Sequence, residues 1–376
     1  MGLTALQRYD VGLGAGFAAY ATGESRGAIT AARFTDPQRE WAELRSGCGV
    51  YDLGLRAKIS LTGSDRVRWL NGMVTNNVRD LSAGCGVYAF LLNPQGHILA
   101  DLYAYNHGES IAVDTDRSQM EKILATFDHY IIMDDVEVAN LSDQLTALGI
   151  GGPKSRDVLR AAGLAFSELR PLQILTTQCD GGYGSLACTI VRSDDVAGES
   201  YEMWMAPEHV KSVWDVLVKS GAAAVGFEAL ELRRIVSGIP QYGVDIRERD
   251  LPQETEQARA LNFSKGCYVG QEIVERIRSR GAVHRKFAGF LADGATAIAA
   301  RSKIAAGEKD VGEITSVASL RLPGGEKTVA LGYIRREVGV PGREVTIGMT
   351  RATVVQLPVE EALLCHGESS LEHHRT

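Results

Sequence analysis

Eight consecutive residues, Lys265-Gly266-Cys267-Tyr268-Val269-Gly270-Gln271-Glu272, bring a basic group, a thiol, a phenol and an amide–carboxylate pair into one short stretch. Neither a core strand nor an amphipathic helix needs that mixture. Two glycines so close together imply a backbone that turns tightly or approaches something closely. Cys267 supplies the nucleophile, and the ammonium of Lys265, two residues away, would favour its thiolate by local attraction. A loop held on a rigid scaffold is the expected setting for such chemistry. The competing reading is a structural turn around a buried thiol, since a free Cys often behaves as a small apolar residue.

Asp101 is the second candidate. It lies between Ala100 and Leu102 in an apolar run from Ile98 to Tyr105. A carboxylate among apolar neighbours is costly unless it is paired or functional, and a solvent-facing strand position is the plain alternative. The turn Asn93-Pro94-Gln95-Gly96 has Pro at its second position and Gly at its fourth, so Val87 to Leu92 and Ile98 to Tyr105 read as a hairpin.

The loop sequence, continued by Val274-Glu275-Arg276 and Arg280-Gly281, resembles the signature of the YgfZ-type folate-binding proteins. These are relatives of the glycine-cleavage T-protein, an aminomethyltransferase. The resemblance runs over roughly residues 41–357. It implies an α+β fold, with T-protein-like interleaved folate-binding subdomains and a C-terminal β-barrel. The implied cofactor is tetrahydrofolate or a one-carbon derivative, with Asp101 facing its reactive nitrogens. T-proteins usually carry two successive acids at this point; here Ala100 replaces the first. Gly198-Glu199-Ser200-Tyr201-Glu202 resembles the pterin-binding segment, which makes Glu199 the pterin candidate. One carboxylate can accept from the pterin amino group and ring N–H together.

Leu232 to Gly238 and Tyr242-Gly243-Val244-Asp245 also resemble superfamily stretches. Arg233 is thereby the candidate for the folate glutamate carboxylate, through a bidentate fork, and Tyr242 joins the folate-binding set. An ion pair of Arg233 with Glu231 or Glu254 is the structural alternative. The functional loop implied comprises Lys265, Gly266, Cys267, Tyr268, Gly270, Gln271, Glu272 and Arg276, with Cys267 and Asp101 as the reactive groups. The function implied is a tetrahydrofolate-binding protein that supports iron–sulfur cluster assembly or repair. The alternative is a folate-dependent aminomethyltransferase or related demethylase. The partners implied are a reduced folate, including its polyglutamylated forms, and iron–sulfur proteins or assembly factors.

Several elements must position these groups. Ala57 to Leu61 alternates as a half-buried strand, and Ser64 is placed to cap a helix carrying Val67, Leu70 and Met73 on one face. Residues 118–129 read as a helix, and Leu145 to Ile150 as a strand. Gly151-Gly152-Pro153 opens a helix from Lys154 to Ala162, with Pro at the first helical position. Gly182 to Val191 reads as a strand, Pro207 to Lys219 as an amphipathic helix, and Phe227 to Ser237 as a helix. Arg276, Arg278, Arg280, His284, Arg285 and Lys286 form a basic run, read as a strand face that is solvated or attracts a polyglutamate tail or RNA. The domains read as a lead-in over 1–40, a folate-binding region over 41–282, a barrel over 283–358 and a polar, mobile tail over 359–376.

Composition bounds the rest. The chain has 376 residues, net charge −7, 45% hydrophobic and 23% charged residues, an ordinary globular balance that argues against bulk nucleic-acid binding. The six cysteines are scattered, with no Cys-x-x-Cys pair, and read as reduced thiols of a cytoplasmic protein. His373-His374 is no persuasive metal site, and no metal is expected. Gly12-Leu13-Gly14-Ala15-Gly16 lacks the dinucleotide spacing. No apolar run reaches membrane-spanning length.

Overall fold

The computed structural model describes all residues except Met1, 10–15, 23–24, 183, 197, 282, 323, 360–362 and 364–376. The glycine-rich segment at 12–15, the two histidines near the end and nearly all of the tail therefore lie outside the described residues. The chain forms two compact units, the first from Met1–Ala229 with Arg259–Gln271, the second from Leu230–Ala258 with Glu272–Thr376.

In the first unit, a five-stranded sheet runs in the order Cys85–Leu92, Ile98–Asn106, Ile111–Asp116, Arg56–Thr62, Glu137–Asn140. All its neighbours are antiparallel. Helices Arg66–Met73 and Arg117–Tyr130 cover one face, burying Trp69, Leu70, Met73, Ile123 and Phe127 against Ile59, Leu61, Leu102 and Val113. Asp116 caps the longer helix by accepting from the Ser118 N–H at 2.8 Å. Ser64 does not cap the shorter one. Its hydroxyl donates to the Asp135 carboxylate at 2.7 Å, a charged acceptor, and Asp65 holds the cap position instead.

A six-stranded sheet runs Ile174–Gly181, Gly184–Arg192, Ser200–Met205, Thr146–Gly151, Gly49–Asp52, Ala223–Ala224. Helix Val210–Lys219 packs Val210, Val213, Trp214 and Leu217 onto one face, against Tyr201, Met203 and Met205. The other face turns Trp204, Ala147 and Val191 towards Tyr105 of the five-stranded sheet. The residues ahead of Trp41 add Ala5 and Leu6 to the first of these cores. Pro153 lies in a turn, and the helix it was expected to open starts at Ser155, after Lys154 at the cap position.

The second unit contains a closed six-stranded barrel: Arg285–Asp293, Gly325–Arg335, Lys309–Leu322, Lys303–Ala306, Glu344–Ile347, Thr350–Val355. The barrel expected at the C-terminal end is thus present, and the fold is mixed α+β. The basic run is not one strand face. Gln271–Arg280 is a helix, and Arg285 starts a barrel strand. Gln, Glu, Ile and Arg are sound helix formers, and Glu275 pairs with Arg278 at 3.5 Å along the helix. Gln271 and Glu272 are accordingly first-turn helical residues rather than loop.

Candidate functional site

Successive residues of a strand face opposite sides, and this decides what Asp101 can do. Ala100, Leu102 and Ala104 point into the helix-covered core. Asp101, Tyr103 and Tyr105 point to the other face. Asp101 Oδ2 accepts from the Tyr88 hydroxyl at 2.8 Å, and Oδ1 accepts from Gln119 Nε2 at 2.8 Å. Gln119 also accepts from the Asp101 N–H at 2.9 Å. Burial and the neighbouring Asp101 charge push the Tyr88 hydroxyl well above its ordinary value, so it remains a donor. The carboxylate is thus fixed by two donors on a strand. Ala100, in the apolar core, could contribute nothing to this face. The missing first acid therefore takes nothing away from Asp101.

Around Asp101 lies a layer of rings and charges. The Arg259 guanidinium stands 4.3 Å over the Tyr88 ring, and the Tyr88 and Tyr103 rings are 4.9 Å apart. Arg259 pairs with Asp194, which also accepts from the Tyr103 hydroxyl at 3.1 Å. Arg56 lies 5.7 Å over Tyr103 and donates to Asp114 Oδ2 at 2.6 Å. Asp114 accepts from Lys58 through its other oxygen. Burial works to raise the Asp114 pKa, but Arg56 and Lys58 hold it below the ordinary carboxylate range. The Lys58 ammonium is 4.3 Å from the Trp204 ring, and Trp204 Nε1 donates to Glu202 Oε2 at 2.8 Å.

Glu202 differs from Asp114. Burial, then the Asp114 charge, pushes its pKa up, against the opposing pull of Lys58 and Arg56. It shares the Trp204 face of its strand, as residues two apart must. Glu199 belongs to the other side. It accepts from the Tyr201 hydroxyl at 2.5 Å and lies 3.9 Å from Arg156, beside the core of Tyr201 and Met203. The sequence resemblance points to Glu199, and the structure puts Glu202 on the layer instead. Period-two alternation from Trp204 is the signal that would have separated them.

The loop at 265–270 packs onto the same unit. Lys265 Nζ donates to the carbonyls of Asn71, Val74 and Asn76 at 2.5, 2.6 and 2.7 Å. It also lies 5.1 Å from the Tyr268 ring. Burial, then the Arg79 charge, pushes its pKa down to about 7. Its donors are committed to backbone, so Lys265 anchors the loop rather than serving as the free cation expected beside the thiol. The Val269 N–H donates to the Gly72 carbonyl at 3.1 Å. Gly270 has φ +81°, and a Cβ there would stand 2.5 Å from the Asn93 carbonyl oxygen. Here only glycine lets the loop meet the hairpin turn that leads into the Asp101 strand. Gly266 carries no such requirement. Tyr268 is buried and Cys267 is exposed, so the buried-thiol reading fails at this position.

The remaining candidates belong to the second unit. Arg233 is buried on helix Phe227–Val236. Of its suggested ion-pair partners, Glu231 pairs with Arg234 at 2.8 Å and Glu254 with Arg285 at 2.9 Å. Tyr242 forms a bridge with Ile246. Glu272 and Arg276 are exposed on helix Gln271–Arg280. Among the described residues, no three His, Cys, Asp or Glu side chains gather to hold a metal. No helix among them is long and apolar enough to cross a membrane.

The donor set suits a folate. It combines a fixed carboxylate at Asp101, a half-buried carboxylate at Glu202 and the rings of Tyr88, Tyr103 and Trp204. The chain is 29% identical to the aminomethyltransferase of Rubrobacter xylanophilus over 280 residues, 74% of each chain. It is 26% identical to that of Streptomyces coelicolor over 322 residues, 83% of this chain and 85% of the relative. The crystal structure of the glycine cleavage system aminomethyltransferase T from Bartonella henselae shares the fold, with TM-score 0.82 at 22% identity over 94% of this chain and 97% of that one. The GCVT N-terminal domain family matches residues 17–265, well over half of the chain, and the protein belongs to that family.

Proposed function

We propose that this protein binds a reduced folate on the Asp101 face of the first unit and handles its one-carbon group, as an aminomethyltransferase or a related demethylase does. One observation carries this reading: Asp101 is fixed by Tyr88 and Gln119 in a layer of aromatic rings and buried charges. Bound there, tetrahydrofolate would supply nitrogens that accept or release a one-carbon unit. Asp101 would face those nitrogens as a proton acceptor or charge partner. Glu202 replaces Glu199 as the candidate for the pterin amino group and ring N–H, since it lies on the Trp204 face. Tyr103 is half-buried and offers flat apolar surface to a planar ring, whereas Tyr88 is buried beneath Arg259. Arg233 and Tyr242, in the second unit, are kept as folate-binding candidates on the sequence resemblance alone.

A second reading rests on Cys267. An exposed thiol on a loop anchored by Lys265 and Gly270 favours the YgfZ-like role in iron–sulfur cluster assembly or repair, with iron–sulfur proteins as partners. Calorimetric titration with tetrahydrofolate, followed by assays for aminomethyl transfer and formaldehyde release, tests the first reading. Binding that Asp101→Asn and Glu202→Gln leave intact would remove it. Iron–sulfur enzyme activity in cells that survives Asp101→Asn but is lost with Cys267→Ser would establish the second in its place.

A further inference from the structure

Two of the cysteines that the sequence separates meet in the first unit. Cys179 lies on strand Ile174–Gly181 and Cys188 on its antiparallel neighbour Gly184–Arg192. In register, Cys179 opposes Leu186 and Cys188 opposes Thr177, so the two thiols are diagonal partners. Their sulfurs stand 3.0 Å apart. Both are buried, with Leu186, Ile190 and Trp214 in the same core. The Asp101 layer lies on the opposite face of this sheet, beyond Val191 and Trp204. The pair is therefore separate from the site described above.

We propose that Cys179 and Cys188 form a reversible dithiol–disulfide site, oxidised by a peroxide, which staples the hairpin at the edge of the six-stranded sheet. The chemistry balances in two steps. One thiol takes an oxygen from hydrogen peroxide, the O–O bond breaks, and a sulfenic acid and one water result. The second thiol attacks that sulfur, the S–S bond forms, and a second water leaves. Two S–H bonds are lost and two electrons pass to the peroxide.

The fold sets both the rate and the reversibility. Burial raises the Cys188 pKa, so little thiolate exists while the hairpin is closed. Ile174–Gly181 is terminal in the strand order, and an edge hairpin opens locally at low cost. Oxidation therefore proceeds through hairpin opening. A bond of about 2.05 Å needs the two sulfurs to close from their present separation of 3.0 Å. The same opening of the edge hairpin that admits the peroxide admits a reducing thiol, which makes the bridge reversible.

The test uses the full-length protein, exposed to hydrogen peroxide, alkylated and digested with trypsin. The peptide spanning 161–192 holds Cys179 and Cys188 and no other cysteine. The expected result is that this peptide becomes two hydrogens lighter, refuses alkylation, and recovers both thiols on treatment with glutathione. Cys179→Ala should abolish the mass change. The wild-type measurement needs no variant, so a failure of that variant to fold leaves the test intact. Full alkylation of both cysteines after peroxide has oxidised Cys267 would overturn the proposal. So would separate sulfenic or sulfinic acids at the two positions, or a bridge that glutathione cannot reduce.

Discussion

At the residue scale, two carboxylates of one layer behave differently because their partners differ. Asp114 is bracketed by Arg56 and Lys58 and stays ionised, while Glu202 has an indole donor and a like charge nearby. A carboxyl raised in the folded state binds more protons folded than unfolded. Its neutral form is fully tolerated below the ordinary value of 4.5, and stability falls as pH rises from there through the folded value. Asp52 is raised by burial as well and acts in the same direction. Glu202→Gln should therefore flatten the loss of stability above that pH in denaturation curves; an unchanged slope would mean Glu202 titrates normally. For Asp101, Gln119→Leu removes the Nε2 donor and should cost about 1–2 kcal/mol of folate affinity in calorimetry, whereas Gln119→Glu should weaken binding further by like-charge repulsion. Equal affinities for all three proteins would show that the orientation of Asp101 does not matter to binding.

At the element scale, the loop at 265–270 is held by a buried ammonium and a left-handed glycine. Lys265→Met removes the donor from three carbonyls and should destabilise the protein by about 1–3 kcal/mol. Gly270→Ala meets both an unfavourable φ and the Asn93 carbonyl, and a loss of about 1–3 kcal/mol is expected there too. Chemical denaturation measures both, and proteolysis should cut the variants within this loop first. Melting curves matching the wild type would mean that the loop is not anchored as described.

At the scale of the whole molecule, net charge decides what the basic helix can hold. The chain carries −7 overall, and Arg278 is already paired with Glu275. A gel-shift assay with single-stranded RNA at physiological salt should therefore show no complex, since the net negative charge opposes a phosphate backbone. A complex that weakens steeply with salt would reinstate RNA as a partner.

The sequence by itself determined the elements with strong local patterns and the unusual loop. The hairpin around Asn93–Gly96, the helix at 117–130 and the barrel strands follow from turn chemistry and periodicity, which act over a few residues. The loop at 265–270 stood out because no regular element needs its composition. Only tertiary structure decided which side of each strand faces the layer. Glu199 and Glu202 differ by an odd number of positions, which puts them on opposite faces, and the packing of Trp204 against Tyr105 decides which face is the layer. Lys265 reads as a free cation because nothing local reveals the carbonyls of 71–76, nearly two hundred residues earlier in the chain. Cys179 and Cys188 stand nine residues apart without a recognisable motif, and only the pairing of Ile174–Gly181 with Gly184–Arg192 brings them together. Strand pairing is set by burial across the whole sheet, and single-strand patterns do not carry that information.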